Sequence, residues 1–501
     1  MTRLVTLVLA ALAIASSVAQ AQPAKPRNVV FILTDDHRHD ALGVAGHPLA
    51  RTPNMDALAK GGARMRNAFV TTALCSPSRA SILTGTYAHT HGVVDNFTPI
   101  PPTLPNLGQL LKGAGYQTAL IGKWHIGNED DKPQPGFDHW VSFRGQGEYL
   151  PRGTATMLNV DGRRVPQTGY ITDELTDYAM RWLGSTQRDR PFFLYLSHKG
   201  VHADFVPADR HKDSLKGVAA PVPPTMAPAA AEAGNFPAWV RNQRNSWHGV
   251  EYPYHSTLDV AEYQRRYMET LRAVDDSVGR VVEWLKKENL LDSTLIVYMG
   301  DNGFAFGEHG LIDKRTAFDW SMRVPMIVNA PGLVPAGHDI ERVVANIDIA
   351  PTMLDLAGVQ RPTHMQGMSM LPLFANPQAT WREALLYEYY WEWSFPQTPT
   401  QFALRGERFK YVFTHGVWDV DMFFDLQADP GESRNLIDDP AHAKTIASMR
   451  AQLFEMLEKT GGMKIPLYPT RGGQMRLRNP AGSGASPFPK AMSKPPAAPP
   501  R

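Results

Sequence analysis

Two apolar runs, far apart in the chain, each break off into acid. Residues 28–33 (Asn-Val-Val-Phe-Ile-Leu) run into Thr34-Asp35-Asp36, and residues 294–299 (Thr-Leu-Ile-Val-Tyr-Met) run into Gly300-Asp301-Asn302. Continuous apolar residues, many of them β-branched, predict strands buried on both faces, the environment of a parallel sheet covered by helices. Residues 118–121 and 192–196 have the same character, and 325–329 begin a further strand. Residues 53–61 and 260–287 carry helical spacing instead. In the longer segment Tyr263, Tyr267, Leu271, Val274, Val278 and Leu285 fall near one face. Strands alternating with helices predict an α/β fold with a largely parallel sheet. Ligands of such sheets sit beyond the carboxyl ends of the strands. If both acidic strand ends lie on one side of the sheet, their carboxylates converge.

Residues 216–255, rich in Pro, Ala, Asn and Trp, show no period and predict a long surface excursion. Near Ala384 the character changes. Residues 387–391, 409–413 and 422–425 read as short strands of a smaller antiparallel subdomain, closed by a helix around 444–459. From Thr470 onward Gly, Pro, Ser and basic residues predict a disordered tail. The expected division is a signal peptide over 1–21, a main domain over 22–383, a C-terminal subdomain over 384–469 and a tail over 470–501.

The signal peptide rests on Arg3, an apolar run over 4–18 and the small-residue cleavage site Ala19-Gln20-Ala21. That run is shorter than the roughly 20 residues needed to span a bilayer. The expectation is an exported chain, periplasmic or secreted, without stable membrane insertion. Over 501 residues the formal net charge is +2, and no basic stripe of the kind that binds nucleic acid is present. An anionic substrate must then be met by a local site. Export also frames the cysteine content. Exported chains use cysteines in pairs, yet Cys75 stands alone. A single cysteine there is either an inert buried thiol or a reactive group.

Its neighbours favour the second reading. Cys75-Ser76-Pro77-Ser78-Arg79 leads into a helix-like run that ends at Leu83-Thr84-Gly85. A helix N-terminus beside Cys75 and Arg79 offers free N–H groups and a positive dipole end to an anion. The motif resembles the signature of the formylglycine-dependent sulfatases. The resemblance extends over nearly the whole mature chain, through Asp35-Asp36, Gly122-Lys123-Trp124-His125, His202, Asp301-Asn302-Gly303 and Lys314.

The resemblance implies an alkaline-phosphatase-like α/β fold: a large mixed, mostly parallel sheet flanked by helices, with the smaller antiparallel subdomain appended. It implies that a maturation enzyme oxidises Cys75 to formylglycine, whose aldehyde hydrate attacks sulfur. It implies one divalent metal, calcium with magnesium as the alternative, held by Asp35, Asp36, Asp301 and Asn302 with the modified Cys75 completing the set. Oxygen donors suit such hard cations. Arg79 and Lys123 then orient the hydrate, and His125 is the base for sulfate release. His202 and Lys314 bind sulfate and assist the leaving oxygen. His198 is the lesser choice of histidine, Lys199 reads as exposed, and Glu308, His309 and Arg315 read as loop support.

The implied substrate is a sulfated carbohydrate or another sulfate ester. Residues 140–147 (Trp-Val-Ser-Phe-Arg-Gly-Gln-Gly) and the aromatic run 387–395 resemble a bacterial branch near N-acetylglucosamine-6-sulfatases, which favours a 6-O-sulfate. Tyr390, Trp391 and Trp393 are candidates either to stack on sugar rings or to form subdomain core. The alternatives are an aryl sulfatase and a phosphate or phosphonate ester hydrolase of the same superfold. The usual nucleophile of the latter is Ser or Thr, so Cys75 argues against it.

Overall fold

The computed structural model describes residues 27–465 apart from 254–258, 393 and 417–418; the expected signal peptide, the tail from 470 and Trp393 lie outside the described residues. Ten strands form one mixed sheet. In chain order they are β1 (Asn28–Thr34), β2 (Ala63–Phe69), β3 (Gln117–Gly122), β4 (His139–Ser142), β5 (Met157–Val160), β6 (Arg163–Pro166), β7 (Phe192–Ser197), β8 (Thr294–Gly300), β9 (Met326–Asn329) and β10 (His338–Ala345). Across the sheet they lie in the order β10-β2-β9-β8-β1-β7-β3-β4-β5-β6. From β8 through β1, β7 and β3 to β4 all neighbours run parallel. β9 is antiparallel to both of its neighbours, and β5 and β6 continue the other side antiparallel.

The five apolar runs read from the sequence are β1, β3, β7, β8 and β9. Every residue of β1, β7 and β8 is buried, because alternate side chains enter two different cores. Phe31, Tyr195 and Val297 face one core, and Ile32, Leu196 and Tyr298 face the other. Each such side chain, fully buried, contributes about 1.5–3 kcal/mol. Helices α1 (Pro53–Lys60), α3 (Ile171–Ser185) and α4 (Val260–Lys287) cover the second core. Asp259 caps α4 by accepting the Glu262 N–H at 2.7 Å, and Lys286 and Lys287 complement the dipole at its other end. Helix α2 (Cys75–Thr84) packs into the first core.

A four-stranded antiparallel meander joins that same core: β11 (Ala384–Tyr389), β12 (Thr400–Gly406), β13 (Phe409–His415) and β14 (Met422–Asp425), closed by α5 (Ala443–Thr460). Strand β12 is not among the predicted ones. Its Gln401 and Arg405 are buried polar residues that bond Arg315 O and Asp319, outside the meander. Residues 216–255 differ from the expected surface excursion. The segment holds two short helices, Pro228–Ala233 and Ala238–Arg241, and Phe236, Trp239 and Val240 are buried in the first core. Helices this short leave no period to read.

Candidate active site

The site begins with strand register. β1 and β8 pair in parallel with Thr34 opposite Gly300, so the residues that follow meet. Asp301 N–H donates to Thr34 O at 2.8 Å, and Asp36 N–H donates to Asp301 Oδ1 at 2.9 Å. Asn302 Nδ2 donates to Asp36 Oδ1 at 2.7 Å. Carboxylate oxygens of Asp35, Asp36 and Asp301 lie within 4.8 Å of one another, and so do ligand atoms of Asp35, Cys75 and His202. Asp36 adopts φ 55°, and His125, Asp313 and Arg315 also have positive φ. Left-handed backbone at non-glycine residues costs about 1–3 kcal/mol each and gathers at functional sites.

Helix α2 starts at Cys75 and brings Arg79 one turn later. Cys75 Sγ lies 3.5 Å from Asp35 Oδ1 and receives Lys314 Nζ at 3.4 Å. Arg79 Nε and Nη2 reach Asp301 Oδ2 at 2.9 and 2.8 Å, while Nη1 donates to Lys123 O and Ser197 Oγ. Lys123 is delivered by the close approach of β3 and β7. A Cβ on Gly122 (φ 118°) would stand 1.8 Å from Ser197 O, so only glycine fits there. The Lys123 ammonium bonds Asp35 Oδ2 and Gln146 Oε1, and the Lys314 ammonium bonds Asp36 Oδ1.

The histidines are oriented by their partners. An ammonium only donates, so Gln146 turns its carbonyl to Lys123 and its amide Nε2 to His125 Nε2, at 3.2 Å. That leaves His125 Nε2 as acceptor. His202 Nδ1 donates to Ala203 O at 2.6 Å, and Nε2 faces Asp36 Oδ2 at 3.8 Å. All ten residues singled out in the sequence thus converge on one place. His198 does not join them: its Nε2 bonds Ser277 Oγ of α4 at 3.0 Å.

Burial dominates the electrostatics. Asp35, Asp36, Asp301 and Asn302 are at most 1% exposed. Against burial, Lys123, His202, Arg79 and Lys314 hold Asp35 well below the usual carboxylate range. Burial pushes Asp36 up to about 7 despite Lys314, with Asp35, Asp301 and Asp313 adding to the rise. Burial and Asp35 raise Asp301 as well. Burial, then Asp35, pushes the Cys75 thiol up to about 12. Burial, then Lys123, takes His125 well below its usual value; burial takes His202 the same way, with Lys123 and Lys314 helping. Asp36 Oδ2 and Asn302 Oδ1 are buried and have no hydrogen-bond partner. Clustered carboxylates with orphaned oxygen donors form a group that can hold a metal ion.

Other residues at the site were not legible as functional. Gln146 lies in the 140–147 segment, but an uncharged amide carries no catalytic signature. Lys199 is 4% exposed rather than solvated. Arg315 joins a charged wall beside Lys314: it pairs with Asp313, meets Glu392 Oε1 at 3.0 Å and stacks over Phe395 at 3.6 Å. Of the aromatic candidates, Tyr390 is core, its hydroxyl donating to Glu388 at 2.7 Å, whereas Trp391 is 40% exposed. A cleft of about 610 Å³ is lined by Phe143, Arg144, Gln146, Glu148 and Arg152 among others; of these, Gln146 also bonds Lys123 and His125.

Residues 27–359 match the family Sulfatase, and residues 307–459 match N-sulphoglucosamine sulphohydrolase, C-terminal. The chain is 32% identical to the N-acetylglucosamine-6-O-sulfatase of Bacteroides thetaiotaomicron, covering 90% of this chain and 89% of that one. It is 30% identical to the multifunctional alkaline phosphatase superfamily protein PehA of Trinickia caryophylli, over 84% and 93% of the two chains. The structure of BT4656 in complex with its substrate D-glucosamine-2-N,6-O-disulfate superposes with a TM-score of 0.78 at 31% identity, covering 88% of this chain and 99% of that one. Fold, strand-end chemistry and these similarities agree: the chain belongs to the sulfatase family and is a sulfuric ester hydrolase of the alkaline phosphatase superfamily.

Proposed function

We propose that this enzyme removes the 6-O-sulfate of N-acetylglucosamine in sulfated glycans, using a formylglycine made from Cys75. The observation that carries the proposal is the setting of Cys75: the first residue of a helix, between the Asp35 carboxylate and the Lys314 ammonium. A buried thiol raised to about 12 is protonated at neutral pH and a poor nucleophile. Conversion of residue 75 removes that obstacle. The glycan assignment is supported by the relative from Bacteroides thetaiotaomicron and by the sugar disulfate bound to BT4656.

Asp35, Asp36, Asp301 and Asn302 would hold a divalent metal, calcium with magnesium as the alternative; when bound it neutralises sulfate oxygens. As an aldehyde hydrate, residue 75 supplies the attacking hydroxyl and a second hydroxyl that drives sulfate release. The remaining steps fall to side chains of the chain itself. Arg79 holds the first turn of α2 against Asp301. Lys123 and Lys314 present ammoniums beside residue 75, where negative charge grows on the sulfate. His125 keeps a bare Nε2 through the Lys123–Gln146 relay and acts as base at that atom. In His202 the Ala203 carbonyl fixes Nδ1 as donor, so Nε2 takes the proton that the attacking hydroxyl of residue 75 loses and hands it to the leaving oxygen. Conversion of Cys75 by a maturation enzyme and export to the periplasm or exterior complete the proposal; among the described residues no helix is long and apolar enough to cross a membrane.

A second reading, a phosphate or phosphonate ester hydrolase, draws on the similarity to the phosphonate monoester hydrolase SpPMH from Silicibacter pomeroyi, which superposes with a TM-score of 0.71 at 26% identity. Sulfate release from 6-O-sulfated N-acetylglucosamine, measured beside other sulfated sugars, an aryl sulfate and a phosphonate monoester, decides between them. The 6-O-sulfated sugar is expected to give the highest kcat/KM. Cleavage of the others without it rejects the substrate assignment.

A further inference from the structure

Lys199 lies three residues before His202, in the loop that leaves β7, and is 4% exposed. Among the described residues its Nζ meets neither a carboxylate at ion-pair distance nor a hydrogen-bond acceptor. Its contact is the face of Tyr149, 4.6 Å from the ring centroid. That ring is itself anchored, its hydroxyl donating to His202 O at 2.7 Å. A cation–π contact contributes about 0.5–2 kcal/mol, less than the several kcal/mol that burying an ion costs. The other buried cations of the site are matched: Arg79 by Asp301, Lys123 by Asp35 and Lys314 by Asp36. Burial, then the like charge of Lys123, draws Lys199 down to about 8, although Asp35, Glu148 and Asp36 act in the other direction. Glu148 lines the same cleft as Gln146. Lys199 is thus close enough to the Asp35 and Asp36 carboxylates to feel their charge.

A largely buried cation without an ion-pair partner, beside the carboxylates of an anion-processing site, calls for an anion from outside the chain. We propose that Lys199 is a further substrate-binding residue, its ammonium the counter-ion of an anionic oxygen group on the substrate, either the scissile sulfate or a second sulfate. The proposal rests on the sulfatase reading of the site. The same geometry has a consequence for the unliganded enzyme: neutralising an uncompensated buried charge relieves the fold rather than weakening it.

The test compares wild-type enzyme with Lys199→Met and Lys199→Arg, using 4-nitrophenyl sulfate and glucosamine 2-N,6-O-disulfate. Lys199→Met is expected to raise KM by roughly tenfold or more, as loss of a buried charge partner does. Its kcat should stay within about threefold and its unliganded Tm at or above wild type. Lys199→Arg, which keeps the cation, should recover part of the KM. A rise in KM on both substrates assigns the ammonium to the scissile sulfate; a rise on the disulfate alone assigns it to the second sulfate. Unchanged KM on both overturns the proposal. So does a Lys199→Met protein that fails to fold, because the ammonium then serves the structure. Wild-type turnover of the two substrates reports separately on the sulfatase reading.

Discussion

Asp36 donates its N–H to Asp301 Oδ1 at 2.9 Å although 265 positions separate them. The contact follows from the parallel pairing of β1 with β8, which ends both strands in one layer. One carboxylate thereby serves two purposes. Asp301 Oδ1 shapes the turn at Asp36, and Oδ2 receives the Arg79 guanidinium.

Loss of this carboxylate has a structural and a functional consequence. Asp301→Ala leaves the buried Arg79 facing only Asp35, at 3.8 Å, which is expected to cost about 3 kcal/mol of stability. A calorimetric or fluorescence melt reads this as a large drop in Tm. Independently, dialysis of wild-type enzyme against a chelator should lower activity and Tm together, with calcium restoring both. Full activity in the chelated enzyme contradicts a metal in this cluster.

Gln146 joins Lys123 to His125, so its amide sets which histidine nitrogen is bare. Gln146→Leu removes both bonds at similar size. We expect kcat to fall about 10–100-fold, the range for partners that orient a site's ligands, with Tm changed little. Wild-type kcat in this variant shows that His125 is oriented without the relay.

A separate ion pair fastens the two sheets' neighbourhoods together. His89 Nδ1 faces Glu388 Oε2 at 2.8 Å, and Nε2 faces Thr460 O at 3.1 Å. Both partners only accept, so both ring nitrogens carry protons. Against burial, Glu388 and Thr460 raise His89 above its usual 6.5, and His89 and Tyr390 lower Glu388 below its usual 4.5. A raised histidine stabilises fully below 6.5 and loses its contribution as pH climbs through the folded value. A lowered glutamate stabilises fully above 4.5 and loses its contribution as pH falls through the folded value. The pair is therefore strongest between those limits. His89→Gln should lower Tm most near about pH 5.5 and progressively less toward about pH 9. A gap that stays constant across this range shows an uncharged ring.

Much of the fold was legible because β1, β7 and β8 are covered on both faces, which writes an unbroken apolar run into the chain. The acid that follows β1 and β8 marks the site for the same reason: the carboxylates sit directly where the runs stop. Strand β12 was hidden because its buried Gln401 and Arg405 bond groups 86 positions away. Gln146 and Lys199 were hidden likewise. The role of the first depends on which loops meet, and the burial of the second depends on the Tyr149 ring that covers it. Local pattern carries neither fact.

The proposed reaction requires Cys75 as the precursor of its nucleophile. Intact-peptide mass spectrometry of the segment containing Cys75, taken from catalytically active enzyme of the native host, tests it most directly. The expected peptide is lighter by the difference between a thiol-bearing and an aldehyde-bearing side chain. An unmodified thiol at residue 75 in fully active enzyme contradicts it.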